Sequence, residues 1–171
     1  MAIGPMQVLV LGFGDVEFRG EALAELDRLR RSDIVRLVDM IAVRKLADGT
    51  VERAQRSDLS EEQAGELGAI AGALIGFGAL GEEGAIEGAE AGAELMAESG
   101  GHLLDTDDVW FIEEAIPPGS TAVVAVLEHR WAIPLRETIR GLDGTLLADA
   151  WIHPSDLVAI GVAAAEEVAA S

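Results

Sequence analysis

Glu128, His129 and His153 are the residues whose types could carry the hardest chemistry. Glu128-His129 closes one apolar run and His153 closes another, so two imidazoles and a carboxylate could meet at one end of a β-α-β unit. Imidazole nitrogen with carboxylate oxygen is a ligand set for zinc and a route for proton transfer. The three histidines, His102, His129 and His153, show no H-x-x-x-H spacing, and the chain has no cysteine to supply a thiolate ligand or nucleophile. Edge-strand histidines are the plainer reading, and no catalytic residue is assigned. Trp131 and Trp151 flank the same region and read as core or interface anchors.

Carboxylates form a second group. Glu83/Glu87 and Glu90/Glu94 stand four residues apart, where helical carboxylates could share a hard cation such as Ca²⁺ or Mg²⁺. A solvated acidic face explains them more simply. Asp105, Asp107 and Asp108 lack the glycine and terminal Glu of an EF-hand loop and read as helix caps. Gly12-x-Gly14 follows a strand pattern, yet Glu17 occupies the third position of the dinucleotide fingerprint, where an acid would oppose a pyrophosphate. A strand-end turn accounts for the two glycines. No nucleophile elbow, P-loop or metalloprotease motif is present, and no cofactor is implied.

The elements that would position these residues fall into an α+β order. Met6 to Phe13 is a short apolar strand, Glu21 to Arg31 an amphipathic helix, and Ile34 to Leu46 a β-branched run. Asp48-Gly49 suits a type I′ hairpin leading into Thr50 to Gln55. Ser60-Glu61-Glu62-Gln63 is a capping box opening an Ala/Gly-rich helical segment that Gly76 to Gly81 interrupts and Ser99-Gly100-Gly101 ends. A helix over Asp105 to Ala115, a strand over Ser120 to His129, a helix from Pro134 to Arg140 and a strand over Thr145 to Ile152 complete a second β-α-β unit. Ser155 or Asp156 caps a C-terminal helix.

Two such units fit one ferredoxin-like sheet with its helices on one face. The expected organisation is a single domain, 1–171, with a first half (1–56), an inserted glycine-ladder hairpin (57–101), a second half (102–154) and a C-terminal helix (155–171). The length suits one domain with a real core.

Acidic residues outnumber basic ones 31 to 12, for a net charge of −19. That excess repels nucleic acid and anionic lipid, whose binding depends on basic neutralisation. It favours solubility, and leaves divalent cations or a basic protein as possible partners. Met1 to Phe13 lacks the basic n-region of a secretory signal, so a cytoplasmic location is expected. Lys45 is the only lysine, a bias that suits a GC-rich bacterial genome.

Between Arg56 and Arg130 there is no cation, and within that stretch lie two ladders, Gly68/Gly72/Gly76 and Gly84/Gly88/Gly92. Each helical glycine costs on the order of 1 kcal/mol relative to alanine, so close backbone packing must offset six of them. The uncharged run from Leu67 to Gly81 falls short of the roughly 20 residues that cross a bilayer. Glutamates bound it, and a membrane is not the expected partner.

VLVLGFGDVEF, IAVRKLADGTV, the central GALIGFGALG and then DDVWFIEEAIPPGSTAVVAVLEH with GLDGTLLADAW together resemble bacterial, actinobacterial-type ferredoxin-like proteins of unknown function that carry an inserted glycine zipper. The resemblance covers most of the chain and implies the fold. It carries no activity. The chain departs from the pattern at Glu82, Glu83, Glu87, Glu90 and Glu94, which interrupt the inserted segment. The expected function is a non-catalytic, homo-oligomeric structural or scaffold protein whose glycine hairpin mediates close contact. A small-molecule or metal-responsive binding module is the second reading, and a glycine-zipper membrane-associated protein the third.

Overall fold

In a computed structural model of the protein, the described residues are 3–14, 21–104, 110–145, 147 and 150. They form a mixed α+β structure in the order β1 (Met6–Phe13), α1 (Glu21–Arg31), β2 (Val35–Lys45), β3 (Val51–Arg56), α2 (Glu61–Glu98), α3 (Trp110–Ala115), β4 (Ser120–His129) and α4 (Ala132–Gly141). The chain divides into two compact units, Met1–Arg136 and Glu137–Ser171.

The first unit holds a four-stranded, wholly antiparallel sheet in the order β1-β4-β2-β3. β1 and β2 therefore run parallel to each other with β4 between them, so β1-α1-β2 is a split crossover. The side chains of β4 divide the core. Ala122, Val124 and Val126 face α3 and the base of α2 through Ile112 and Leu67, together with Ile41, Val43 and Val38 of β2. Val123, Ala125 and Leu127 face the other way, toward Leu26 of α1 and Leu9. The helices of this unit thus cover both faces of the sheet rather than the single face expected, because the segment between β3 and β4 takes the side opposite α1.

Val38 is an extra residue between the Leu37/Leu127 and Asp39/Val126 partners. The bulge moves β2 by one residue, so Ile41 and Val43 join Val38 on the α2 side rather than Leu37 on the α1 side. It also buries Asp39 completely.

The β2-β3 turn is not the expected type I′. Only Gly49 takes a positive φ, 87°, within a three-residue loop in which Gly49 N donates to Leu46 O at 2.9 Å and Leu46 N to Thr50 O at 2.8 Å. Asp48 keeps a negative φ because its carboxylate accepts the Thr50 amide at 2.9 Å, a local turn bond that needs no left-handed backbone. Lys45 at the end of β2 donates to the carbonyls of Glu113 and Ile116 at 3.1 and 3.3 Å, capping the C-terminal end of α3.

In the second unit, α4 ends as the glycines of the 141–144 stretch predict. Asp143 adopts φ 58°, and the amides of Leu142 and Gly144 bond back to Ile139 O at 3.1 and 2.9 Å. Of the strand expected over Thr145 to Ile152, the described residues Thr145, Leu147 and Ala150 are in no strand, and the others lie outside the described residues, as does the expected C-terminal helix.

Candidate association surface

Ser60 opens α2 with an extended backbone, φ −71° and ψ 162°. Its hydroxyl accepts the Gln63 amide at 3.2 Å, while the Gln63 side chain accepts the Ser60 amide at 3.1 Å, completing the reciprocal cap. The 38-residue segment is broken by Gly81, whose φ of 71° and ψ of −145° lie outside the helical region. Gly81 reverses the chain, and the two arms fold against each other.

The two ladders meet at this hairpin seam. Gly68 faces Gly92, Gly72 faces Gly88, and Gly76 faces Gly84, each so near that an added Cβ would lie well under 3.0 Å from the carbonyl oxygen opposite. Both sides of the seam are backbone, which is why any side chain larger than hydrogen is excluded. These glycine faces are therefore occupied within the chain. Gly65 and Gly78 belong to neither ladder and have open space around them.

The root of the hairpin is anchored by Ala64, Leu67 and Met96, all buried. Ser99 caps its end, with Gly100 and Gly101 at φ 67° and 84° turning the chain away. Beyond the root the outer surface changes character. Leu74, Ile75, Phe77 and Leu80 of the first arm and Ile86 of the second are 58–75% exposed. Glu83, Glu87, Glu90 and Glu94 of the second arm are exposed as well, and so form a solvated face. By length and composition the segment Glu61–Glu98 is long and apolar enough to cross a membrane, with a window of mean hydropathy 1.5. The reversal at Gly81 divides that length between two arms.

The histidine and carboxylate candidates do not converge among the described residues. Glu128 and His129 are successive on β4 and point to opposite faces of the sheet. Glu128 is fully buried, with Oε1 accepting the Gly4 amide at 2.7 Å and Oε2 2.7 Å from Arg36 Nε. The ring of His129 lies 3.1 Å from Gln7 Oε1 and meets Trp131 edge to face at 6.4 Å. Trp131 is 47% exposed. His153 and Trp151 lie outside the described residues. Among the described residues, no three His, Asp or Glu side chains are grouped to hold a metal.

One polar centre has only a faint sequence signal. Asp39 interrupts the apolar run IVRLVDMIAV, and its buried carboxylate gathers four partners. The amides of Met40 and Leu104 donate at 2.8 and 2.9 Å, Gln55 Nε2 at 3.1 Å, and the ring of His102 sits at 3.0 Å. Gln55 also donates to Leu104 O at 2.8 Å. The centre pins the chain leaving the hairpin onto β2 and so fixes where the hairpin is rooted.

Compared with protein-family models, curated proteins and solved structures, the chain matches none.

Proposed function

We propose that this is a non-catalytic protein that associates with copies of itself, in a structural or scaffold role, through the outer face of the glycine hairpin. The observation that carries this reading is the exposed apolar first arm, from Leu74 to Leu80, on a hairpin whose glycine faces are already occupied. An arm apolar on every side ordinarily needs cover. A second copy brings an identical uncharged arm, and contact between first arms leaves the glutamates of both second arms in water.

A lipid bilayer is the weaker cover. Burying the hairpin would carry Glu82, Glu83, Glu87, Glu90 and Glu94 into hydrocarbon, at roughly 3 kcal/mol for each charged group near the centre. No cation between Arg56 and Arg130 is present to anchor the segment at a headgroup surface. The net charge and this argument together favour a cytoplasmic protein, and the single lysine, Lys45, suits a GC-rich bacterial genome. The split β1-α1-β2 crossover supports a ferredoxin-like sheet as the finer fold class, with the hairpin inserted between its halves, although helices on both faces depart from the one-sided cover of that arrangement.

Light scattering after size exclusion tests the reading. The detergent-free protein should have the mass of a defined oligomer, and Leu74→Gln/Phe77→Gln should lower that mass without loss of folded structure. A monomeric parent protein, or an oligomer untouched by the double substitution, would refute it.

A further inference from the structure

Five of the chain's twelve cationic side chains line one concavity, in a protein of net charge −19. Arg30, Arg31, Arg36, Arg56 and Arg130 come from α1, β2, β3 and the residue after β4, at the end of the sheet where β2 begins. Arg56 and Arg130 are the two residues that bound the long cation-free stretch, and the fold returns them to the same place. The cavity has a volume of about 560 Å³, within the range of roughly 300–1,000 Å³ usual for small-molecule sites.

Acids hold some of these guanidiniums in position. Arg30 is gripped by Asp58 and Asp27, Arg130 by Asp33, and Arg36 by the buried Glu128. Asp58 is itself fixed to β2, its carboxylate accepting the Leu37 amide at 3.3 Å and its own amide donating to Leu37 O at 3.0 Å. Arg31 and Arg56 are engaged differently. Arg31 spends its Nε on the backbone carbonyl of Asp27 at 3.1 Å, and Arg56 stands 3.7 Å from the Asp27 carboxylate, beyond hydrogen-bond range. Counting Glu128 with the three lining aspartates, the guanidiniums still outnumber the carboxylates. Gln63, from the first turn of α2, completes the wall.

We propose that this cavity binds a small phosphorylated metabolite, its phosphoryl oxygens taken by the forks of Arg31 and Arg56. Planar guanidiniums match phosphoryl oxygens in pairs, and a phosphomonoester carries close to two negative charges at neutral pH. The cavity exceeds what a bare ion needs, which leaves room for the body of the metabolite. The acidic remainder of the chain repels a phosphate polymer. This site is independent of self-association, since none of its residues lies in the exposed stretch from Leu74 to Leu80.

Calorimetric titration of the full chain at constant ionic strength tests it, with inorganic pyrophosphate and glucose 6-phosphate as probes and citrate as the carboxylate comparison. Saturable binding of at least one phosphate probe is expected, weakened about tenfold or more in Arg31→Ala/Arg56→Ala, with the melting temperature of the unliganded variant unchanged. Arg140→Ala, outside the cavity, should bind like the parent protein. Absence of saturable binding by both phosphate probes would overturn the proposal, as would full retention in the double variant. Citrate binding as tightly as the better phosphate probe would overturn the phosphoryl assignment.

Discussion

Gly72 and Gly88 lie backbone to backbone, so that a methyl group on either would strike the carbonyl group of the other. The ordinary rule for helical glycine therefore reverses at the seam. Gly72→Ala or Gly88→Ala gains about 1 kcal/mol of helix propensity but must push two backbones apart, and a net loss of about 1–3 kcal/mol is expected. Gly78→Ala, with open space around it, should instead stabilise by up to about 1 kcal/mol. Urea unfolding of the three variants reads both signs. Equal stabilisation at all three positions would refute the seam.

Gly81 provides a separate test because its constraint is conformational. Its φ of 71° combined with ψ of −145° is a backbone state that alanine adopts with strain. Gly81→Ala should cost about 1–3 kcal/mol, although nothing crowds a Cβ at that position. A thermal unfolding midpoint equal to that of the parent protein would contradict the reversal.

Asp39 is expected to be the least replaceable carboxylate of the fold. Asp39→Ala strands the Leu104 amide and takes one of two acceptors from Gln55 Nε2, and the expected loss is about 3 kcal/mol. Amide hydrogen exchange gives the local reading, with protection falling first at residues 102–104. Uniform protection across that segment in the variant would show that the centre does not root the hairpin.

Glu113 predicts a pH dependence of defined sign. The hydrogen bond from Arg53 holds its carboxyl below the ordinary value; desolvation opposes this, and the Coulombic attraction of Arg53 and then of Lys45 adds to it. A folded-state value below the unfolded one means that the stabilisation is complete above the unfolded value and is lost as pH falls through the folded value. Glu113→Gln should therefore be less stable than the parent protein at neutral pH, with the gap closing in acid. A gap that does not change between neutral and acidic solution would remove this contribution.

Local signals made much of the element order legible. The apolar run Met6–Phe13 is β1 with the same bounds, and the capping box at Ser60 stands where its spacing places it. The turn after β2 was legible as a turn but not in its type, because the choice between type I′ and a three-residue loop is decided by the pairing of Leu46 with Thr50. Sheet order and the covering of both faces depend on contacts between distant segments. So does the Val38 bulge, because the order Leu37-Val38-Asp39 does not by itself say where β2 takes up an extra residue against β4. The ladder spacing announces a close-packed face, yet only the backbone of Gly81 decides that its partner is the other ladder. The arginine cavity was the least legible feature, since its members are scattered from Arg30 to Arg130 and share no motif.

The three glycine pairs are each equidistant from Leu80. This makes the hairpin a counting device. Inserting or deleting a single residue in one arm turns everything beyond it by about 100° and sets a residue with a side chain, such as Ala73 or Phe77 of the first arm or Ala85 or Glu87 of the second, where a glycine had been. Length can change without that penalty when both arms gain or lose the same helical repeat. Homologous hairpins of different reach should therefore differ by matched increments on the two sides of the reversal, while the tip itself keeps its single glycine.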